Sequence, residues 1–171
     1  DEASSALEAE LEKVITMQSL SDVPLGAFLS GGVDSSAIVA LMQKQSKKPI
    51  KTFTIGFEDP DFDESTFASE VASHLKTDHS ELLVTAKDAQ SIIPDLPHFY
   101  DEPFADYSQI PTYFVCKSAK QAVTVSLSGD AGDELFGGYN RYLMAPPLWS
   151  KLSKVPIFFR KMFGIILIAI P

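Results

Sequence analysis

The chain has 171 residues, 45% of them hydrophobic and 22% charged, enough for one compact domain with a core of its own. Its formal net charge is −9, with acids and bases mixed through the first 150 residues, so no basic stripe offers a nucleic acid surface and no nucleic acid partner is expected. The single cysteine, Cys116, cannot close an internal disulfide, and the acidic start DEASSALEAELEK lacks the basic stretch and apolar core of a secretory signal, so a cytoplasmic location is expected.

Ser5-x-x-Glu8 reads as a capping box, and Leu7, Leu11, Val14 and Ile15 recur after it at helical spacing. Pro24 to Leu29 is a short apolar run between turn signals, which predicts a buried strand. Ile38, Leu41 and Met42 mark one face of a second helix. Phe53, Ile55 and Phe57 alternate, as in a strand with one buried face. An acidic turn spans Glu58 to Glu64, and Phe67, Val71 and Leu75 then recur every four residues in a helix. Glu81 to Val84 suits a strand. Ala86 to Phe99 is a helix or a helix plus loop, limited by Pro94 and Pro97. Pro111 fits the first turn of a helix running to about Gln121, in which Cys116 is expected to be a small buried residue. Val123, Val125 and Leu127 alternate as a last strand. His74, His79 and His98 have no metal-ligand spacing and read as structural or surface residues.

From Lys151 onward there are Lys151, Lys154, Arg160 and Lys161 and no acids, and the segment ends in MFGIILIAIP. That run is shorter than the roughly 20 residues needed to span a bilayer. No membrane partner is therefore expected, and the segment reads as a helix that packs on further protein, with a membrane-surface helix as the alternative. Residues 1–150 are expected to form the main domain and 151–171 a helical segment continuing beyond it.

Short strands alternating with helices predict an α/β fold, a parallel twisted sheet with helices on both faces. Ligands in such sheets bind outside the carboxyl ends of the strands. Two glycine-rich segments fall there. Ser30-Gly31-Gly32-Val33-Asp34-Ser35-Ser36 joins the first strand to the second helix, and its glycines, hydroxyls and helix N-terminus make a phosphate cradle. Asp34 beside phosphates makes sense with a Mg²⁺ ion between them. No lysine follows before Lys44, so this is not the common nucleotide loop GxxxxGK[ST]. The second segment, Ser128-Gly129-Asp130-Ala131-Gly132-Asp133-Glu134, follows the last strand, and its three carboxylates are tolerable around a shared cation or an ammonium group. Glu102, Asp106 and Tyr107 precede a helix and read equally as amino-acid contacts or as a solvated loop. Arg141 and Tyr142 read equally as phosphate contacts or as surface residues.

At SGGVDSS and SGDAGDELFGGY, and also at FTIGF (Phe53 to Phe57) and DEPFADYSQIPTY (Asp101 to Tyr113), the chain resembles the synthetase domain of glutamine-dependent asparagine synthetases, over nearly its whole length. The resemblance implies a PP-loop ATP pyrophosphatase fold, that is, a Rossmann-like three-layer, adenine nucleotide alpha hydrolase-like domain. It implies ATP and Mg²⁺ as cofactors. The aspartate side-chain carboxylate would be adenylated, and ammonia would then give asparagine, AMP and pyrophosphate. Ser30, Gly31, Gly32, Asp34, Ser35 and Ser36 would hold the pyrophosphate, and Asp34 and Asp133 its Mg²⁺. Leu29 and Ile55 would offer backbone contacts to adenine and ribose, and Ser128 and Gly129 would touch the AMP portion. Asp130, Asp133 and Glu134 would be the catalytic carboxylates, with Asp130 near the substrate amino group, where many members carry glutamate. The family's glutaminase domain is not within this chain, which therefore reads as an excised piece, inactive alone, whose ammonia comes from elsewhere. A homodimer is compatible with the resemblance. A related amidotransferase or a β-lactam-synthetase-like enzyme acting on another carboxylate is one alternative. A nucleotide-binding module without turnover is the other.

Overall fold

The computed structural model describes residues 2–60, 63–102 and 106–168, with side chains described as far as residue 165. Contacts divide these residues into two units, which part between Asp130 and Ala131. The first unit contains α1 (Glu2–Gln18), β1 (Leu25–Phe28), α2 (Val33–Gln45), β2 (Lys51–Phe57), α3 (Ser65–Leu75) and β3 (Asp78–Val84). It continues with α4 (Ala86–Ser91), a 3₁₀ turn (Ile93–Asp95), α5 (Leu96–Phe99), α6 (Gln109–Ala119) and β4 (Val125–Leu127).

The four strands form one parallel sheet in the order β3-β2-β1-β4. Gly26 pairs with Lys51 on one side and Ser126 on the other, and Lys51 with Asp78, so β1 and β2 are interior strands. The chain winds outward from β1 through β2 to β3 and then returns to the opposite side of β1. The direction of winding thus reverses between β1 and β4, where α/β sheets open a crevice at the carboxyl ends of their strands.

Alternation along the strands feeds two cores. On one face Leu25, Ala27 and Leu29 pack with Ile15 of α1, Val39 and Met42 of α2, and Ala68 and Ala72 of α3. On the other, Phe53 packs with Ala119 and Val123, and Val84 with Ile92 and Phe114 of α6. Phe53, Ile55 and Phe57 share this second face, as their spacing predicts. The strand is nevertheless buried on both sides: Thr52 and Thr54 are 0% and 4% exposed under the first-face helices. An interior strand of a parallel sheet has no solvent face, so its polar positions must find partners. The Thr52 hydroxyl is 2.9 Å from both the Thr77 hydroxyl and His79 Nδ1.

Two local expectations are corrected. Ser5 lies inside α1, which already starts at Glu2, so Ser5-x-x-Glu8 is no cap. The reciprocal capping box is Thr85 with Asp88, at the head of α4. Cys116 is exposed rather than buried, because α6 turns Phe114 and Ala119 inward and Cys116 outward.

The second unit holds α7 (Gly132–Phe136), α8 (Asn140–Leu152) and α9 (Ile157–Ile168). Residue 150 lies inside α8, and the last residues of the apolar C-terminus, 169–171, lie outside the described residues. Leu143, Trp149, Phe158 and Phe163 are exposed. Among the described residues no helix is long and apolar enough to cross a membrane.

Candidate functional site

The first glycine-rich loop leaves β1 at Leu29, whose N–H still donates to Phe53 O at 2.9 Å. The loop then braces itself. The Ser35 hydroxyl lies 3.0 Å from the Ser30 hydroxyl, accepts from Ser30 N at 3.2 Å, and donates to Gly32 O at 3.3 Å. Gly32 N donates to Ser30 Oγ at 3.3 Å. Gly31 has φ +81°, and a Cβ there would lie 2.6 Å from Phe67 Cβ and 2.7 Å from Ala68 N. Only glycine fits both the left-handed turn and the contact with α3. Behind this contact, Asp63 accepts from Ser65 N at 3.0 Å and from Phe57 N at 3.4 Å, tying the start of α3 to the end of β2. These bonds hold the Asp63 carboxyl below the usual carboxylate range. The sequence reading placed Asp63 in an acidic turn and missed this role. Of that turn, residues 61 and 62 lie outside the described residues.

Gly32 caps α2 with no side chain, so nothing from the cap covers the first-turn N–H groups. The Ser36 hydroxyl is buried and has no hydrogen-bond partner among the described residues. Among the described residues the half-buried Asp34 carboxylate has no ion-pair partner. Uncapped N–H groups and an orphaned hydroxyl suit an anion, and a half-buried free carboxylate beside them suits a cation bound to that anion. These residues fit a nucleotide phosphate with Mg²⁺.

The second loop meets the first. A Cβ at Gly129 would lie 2.7 Å from Ser35 N and 2.9 Å from the Asp34 carbonyl carbon. The chain leaving β4 therefore passes directly over the first turn of α2. The Ser128 hydroxyl donates to Asp130 Oδ2 at 3.0 Å and holds that exposed carboxylate near the crevice. Thus Leu29, Ser30, Gly31, Gly32, Asp34, Ser35, Ser36, Ser128, Gly129 and Asp130 all belong to the first unit. Ile55 stands there too, one strand over. The Leu29 and Ile55 side chains are committed to opposite cores.

Asp133 and Glu134 belong to the second unit, at the head of α7. There Ala131 (φ +73°) turns into the helix and Gly137 (φ +72°) turns out of it. Tyr139 Oη donates to Glu134 Oε1 at 2.6 Å. That bond holds the Glu134 carboxyl below its ordinary range and pushes the Tyr139 phenol up to about 12. The Arg141 guanidinium stacks 4.1 Å from the Tyr139 ring. Arg141 and Tyr139 thus acquire a setting that spacing did not reveal. Asp106 accepts from Ser108 N at 2.8 Å at the entry to α6, while Tyr107 is 91% exposed. Residues 103–105 of that segment lie outside the described residues.

The asparagine synthase family model matches residues 6–167. The chain is 42% identical over 151 residues to a putative glutamine-hydrolyzing asparagine synthetase of Methanocaldococcus jannaschii, covering 88% of this chain and 29% of that protein. It is 42% identical over 142 residues to a glutamine-hydrolyzing asparagine synthetase of Bacillus subtilis, covering 83% and 22%. The chain thus spans under a third of the length of these curated relatives. Among solved structures it is similar to the NMN synthetase of Francisella tularensis (TM-score 0.56, 14% identity, 81% of this chain and 59% of that one). It is also similar to the NH3-dependent NAD synthetase of Campylobacter jejuni (TM-score 0.53, 15% identity, 80% and 60%). These two likenesses concern the fold alone.

Proposed function

Because this chain belongs to the asparagine synthase family, we propose that it is the nucleotide-binding part of a ligase that adenylates a carboxylate with ATP and passes the acyl group to ammonia. One observation carries this reading: Gly129 of the second motif lies against the first turn of α2, beside the uncapped N–H groups and the orphaned Ser36 hydroxyl. Two motif loops converging on one helix N-terminus at the sheet's switch point suit a triphosphate whose α-phosphorus faces a second substrate.

In the proposed reaction a carboxylate oxygen attacks the α-phosphorus, and the bond to the bridging oxygen of pyrophosphate breaks. Ammonia then attacks the acyl carbon, and AMP leaves with its oxygen. Ser30, Gly32, Ser35 and Ser36, with the α2 N-terminus, bind and orient the departing pyrophosphate, where negative charge builds. Asp34 and Asp133 are the candidate Mg²⁺ ligands, and the ion when bound neutralises charge on the phosphate oxygens. Leu29 and Ile55 serve adenine and ribose through their backbones, Gly129 the AMP portion. Asp130, oriented by Ser128, faces a substrate ammonium group. Aspartate is the first candidate substrate. The related amidotransferase reading, with another carboxylate, is favoured by Asp130 itself, because a side chain shorter than glutamate leaves room for a larger acceptor. Glutamine-derived ammonia, a cytoplasmic location and a nucleotide domain extending to residue 150 belong to the same proposal.

ATP–pyrophosphate exchange by the full-length protein, screened over carboxylates, tests the reading. Exchange with aspartate is expected, exchange with a different acid would select the relative, and none with any carboxylate would refute the ligase. Calorimetry should find Mg²⁺-dependent ATP binding weakened at least about 10-fold in Asp34→Ala and Asp133→Ala. Unchanged affinity in both would remove the metal assignment.

A further inference from the structure

We propose that Gly138 and Tyr139 are positioning residues for Asp133 and Glu134, and that Glu134 is a brace held by Tyr139. The proposal rests on the ligase reading for its chemistry and on the second unit alone for its geometry. After α7 the chain turns sharply at Gly137 and doubles back, so that Gly138 N donates to Asp133 O at 3.0 Å. The Asp133 side chain then lies over residue 138. A Cβ there would overlap its Oδ1 and stand 3.0 Å from its Cγ. Glycine at 138 leaves the space that this carboxylate fills, and any side chain would push it aside.

Tyr139 holds the neighbouring carboxylate. Its hydroxyl gives Glu134 Oε1 a 2.6 Å bond, in the range of charge-assisted hydrogen bonds. Its ring is held in turn: Arg141 lies 4.1 Å from the Tyr139 ring centre and 5.5 Å from that of Tyr142. Tyr142 N also donates to Tyr139 O at 2.9 Å. A carboxylate already taking so short a bond is restrained in place. The Asp133 carboxylate, by contrast, has no hydrogen-bond donor among the described residues, so its oxygens remain available to a ligand. The FGGY half of the motif therefore divides the labour of the GDE half: Asp133 is presented, Glu134 is anchored.

Four variants of the full-length protein test this: Gly138→Ala, Tyr139→Phe, Glu134→Gln and Asp133→Asn. The readout is pyrophosphate exchange and equilibrium ATP binding, each across Mg²⁺ concentration. Gly138→Ala, which displaces the Asp133 carboxylate itself, is expected to raise the half-saturating Mg²⁺ concentration about 10-fold, and Tyr139→Phe, which only frees the neighbouring Glu134, about 3-fold. Glu134→Gln keeps an amide oxygen that can accept from Tyr139, so its Mg²⁺ midpoint should shift less than that of Tyr139→Phe. Asp133→Asn should lose Mg²⁺ dependence altogether. A merely structural role would lower melting temperatures without moving the Mg²⁺ midpoint. Glu134→Gln abolishing exchange while Tyr139→Phe left it intact would overturn the proposal. Should wild type exchange with no carboxylate, the ligase reading fails. The binding series still decides the positioning, and equal Mg²⁺ midpoints in all four variants would refute it.

Discussion

The segment from Ser30 to Ser36 and the segment from Ala131 to Tyr139 are both glycine-rich turns into a helix, yet they hold their polar groups by different means. The first is fixed by backbone. Gly31 sits against the main chain of α3, and Gly129 sits over the main chain of α2. The second is fixed by side chains, with the Asp133 carboxylate over Gly138 and the Tyr139 phenol on Glu134. Backbone cannot rotate away from an added methyl, whereas an exposed carboxylate can. A cradle for a large anion needs donors that are rigid before the ligand arrives, and main-chain packing supplies that. Carboxylates that must take up a cation need only be aimed, and hydrogen bonds do this at little cost in stability.

Substitutions can break the contrast or sharpen it. Gly31→Ala should have the largest effect, because it adds a left-handed alanine to a clash with Phe67 and Ala68, at a cost of about 4 kcal/mol. Thermal unfolding would show a fall of about 10 °C or more. Gly129→Ala should come next, at about 3 kcal/mol, with weakened ATP binding that calorimetry would detect. Ser35→Ala removes the hydroxyl shared by Ser30 and Gly32 and should cost about 1–2 kcal/mol with a modest loss of ATP affinity. Gly138→Ala should cost under about 1 kcal/mol, since Asp133 can swing away, despite its effect on Mg²⁺. A fall as large as that for Gly31→Ala would erase the distinction between the two regions.

The smallest effect belongs to a control outside both segments. Thr85 N and Oγ1 donate to Asp88 Oδ2 at 3.0 and 2.6 Å, and these bonds depress the Asp88 pKa. A depressed carboxylate stabilises the fold above its unfolded pKa, and that contribution disappears as pH falls through the lower folded value. Asp88→Ala should therefore lower the melting temperature by about 2 °C at pH 7, and the difference should close as pH falls below the ordinary carboxylate range.

Much of this was legible from residues close together in the chain. Strand and helix positions followed from periodicity and from breakers such as Pro94 and Pro97, which cut residues 86–99 into α4, a 3₁₀ turn and α5. SGGVDSS could be read as a phosphate loop because the features that suggest one are contiguous. Where local reading failed, a long-range contact had won. Ser5-x-x-Glu8 matched a capping pattern, but α1 was already under way and docked on α2 through Ile15. Cys116 carries a residue type usually found inside, but the faces of α6 are set by Phe53 and Val84 of the sheet.

Sequence alone thus established an alternating α/β chain, two glycine-rich loops at strand ends and the set of residues available for nucleotide chemistry, because helix periods, turn residues and contiguous motifs are local properties. Only the tertiary structure decided that β4 lies beside β1, which brings Gly129 onto Ser35 across more than ninety residues of chain. It also decided that Thr52 and Thr54 are buried and that Tyr139 grips Glu134. Strand order and side-chain partnership are set by which surfaces bury each other in the whole sheet, and no short stretch of residues encodes that sum.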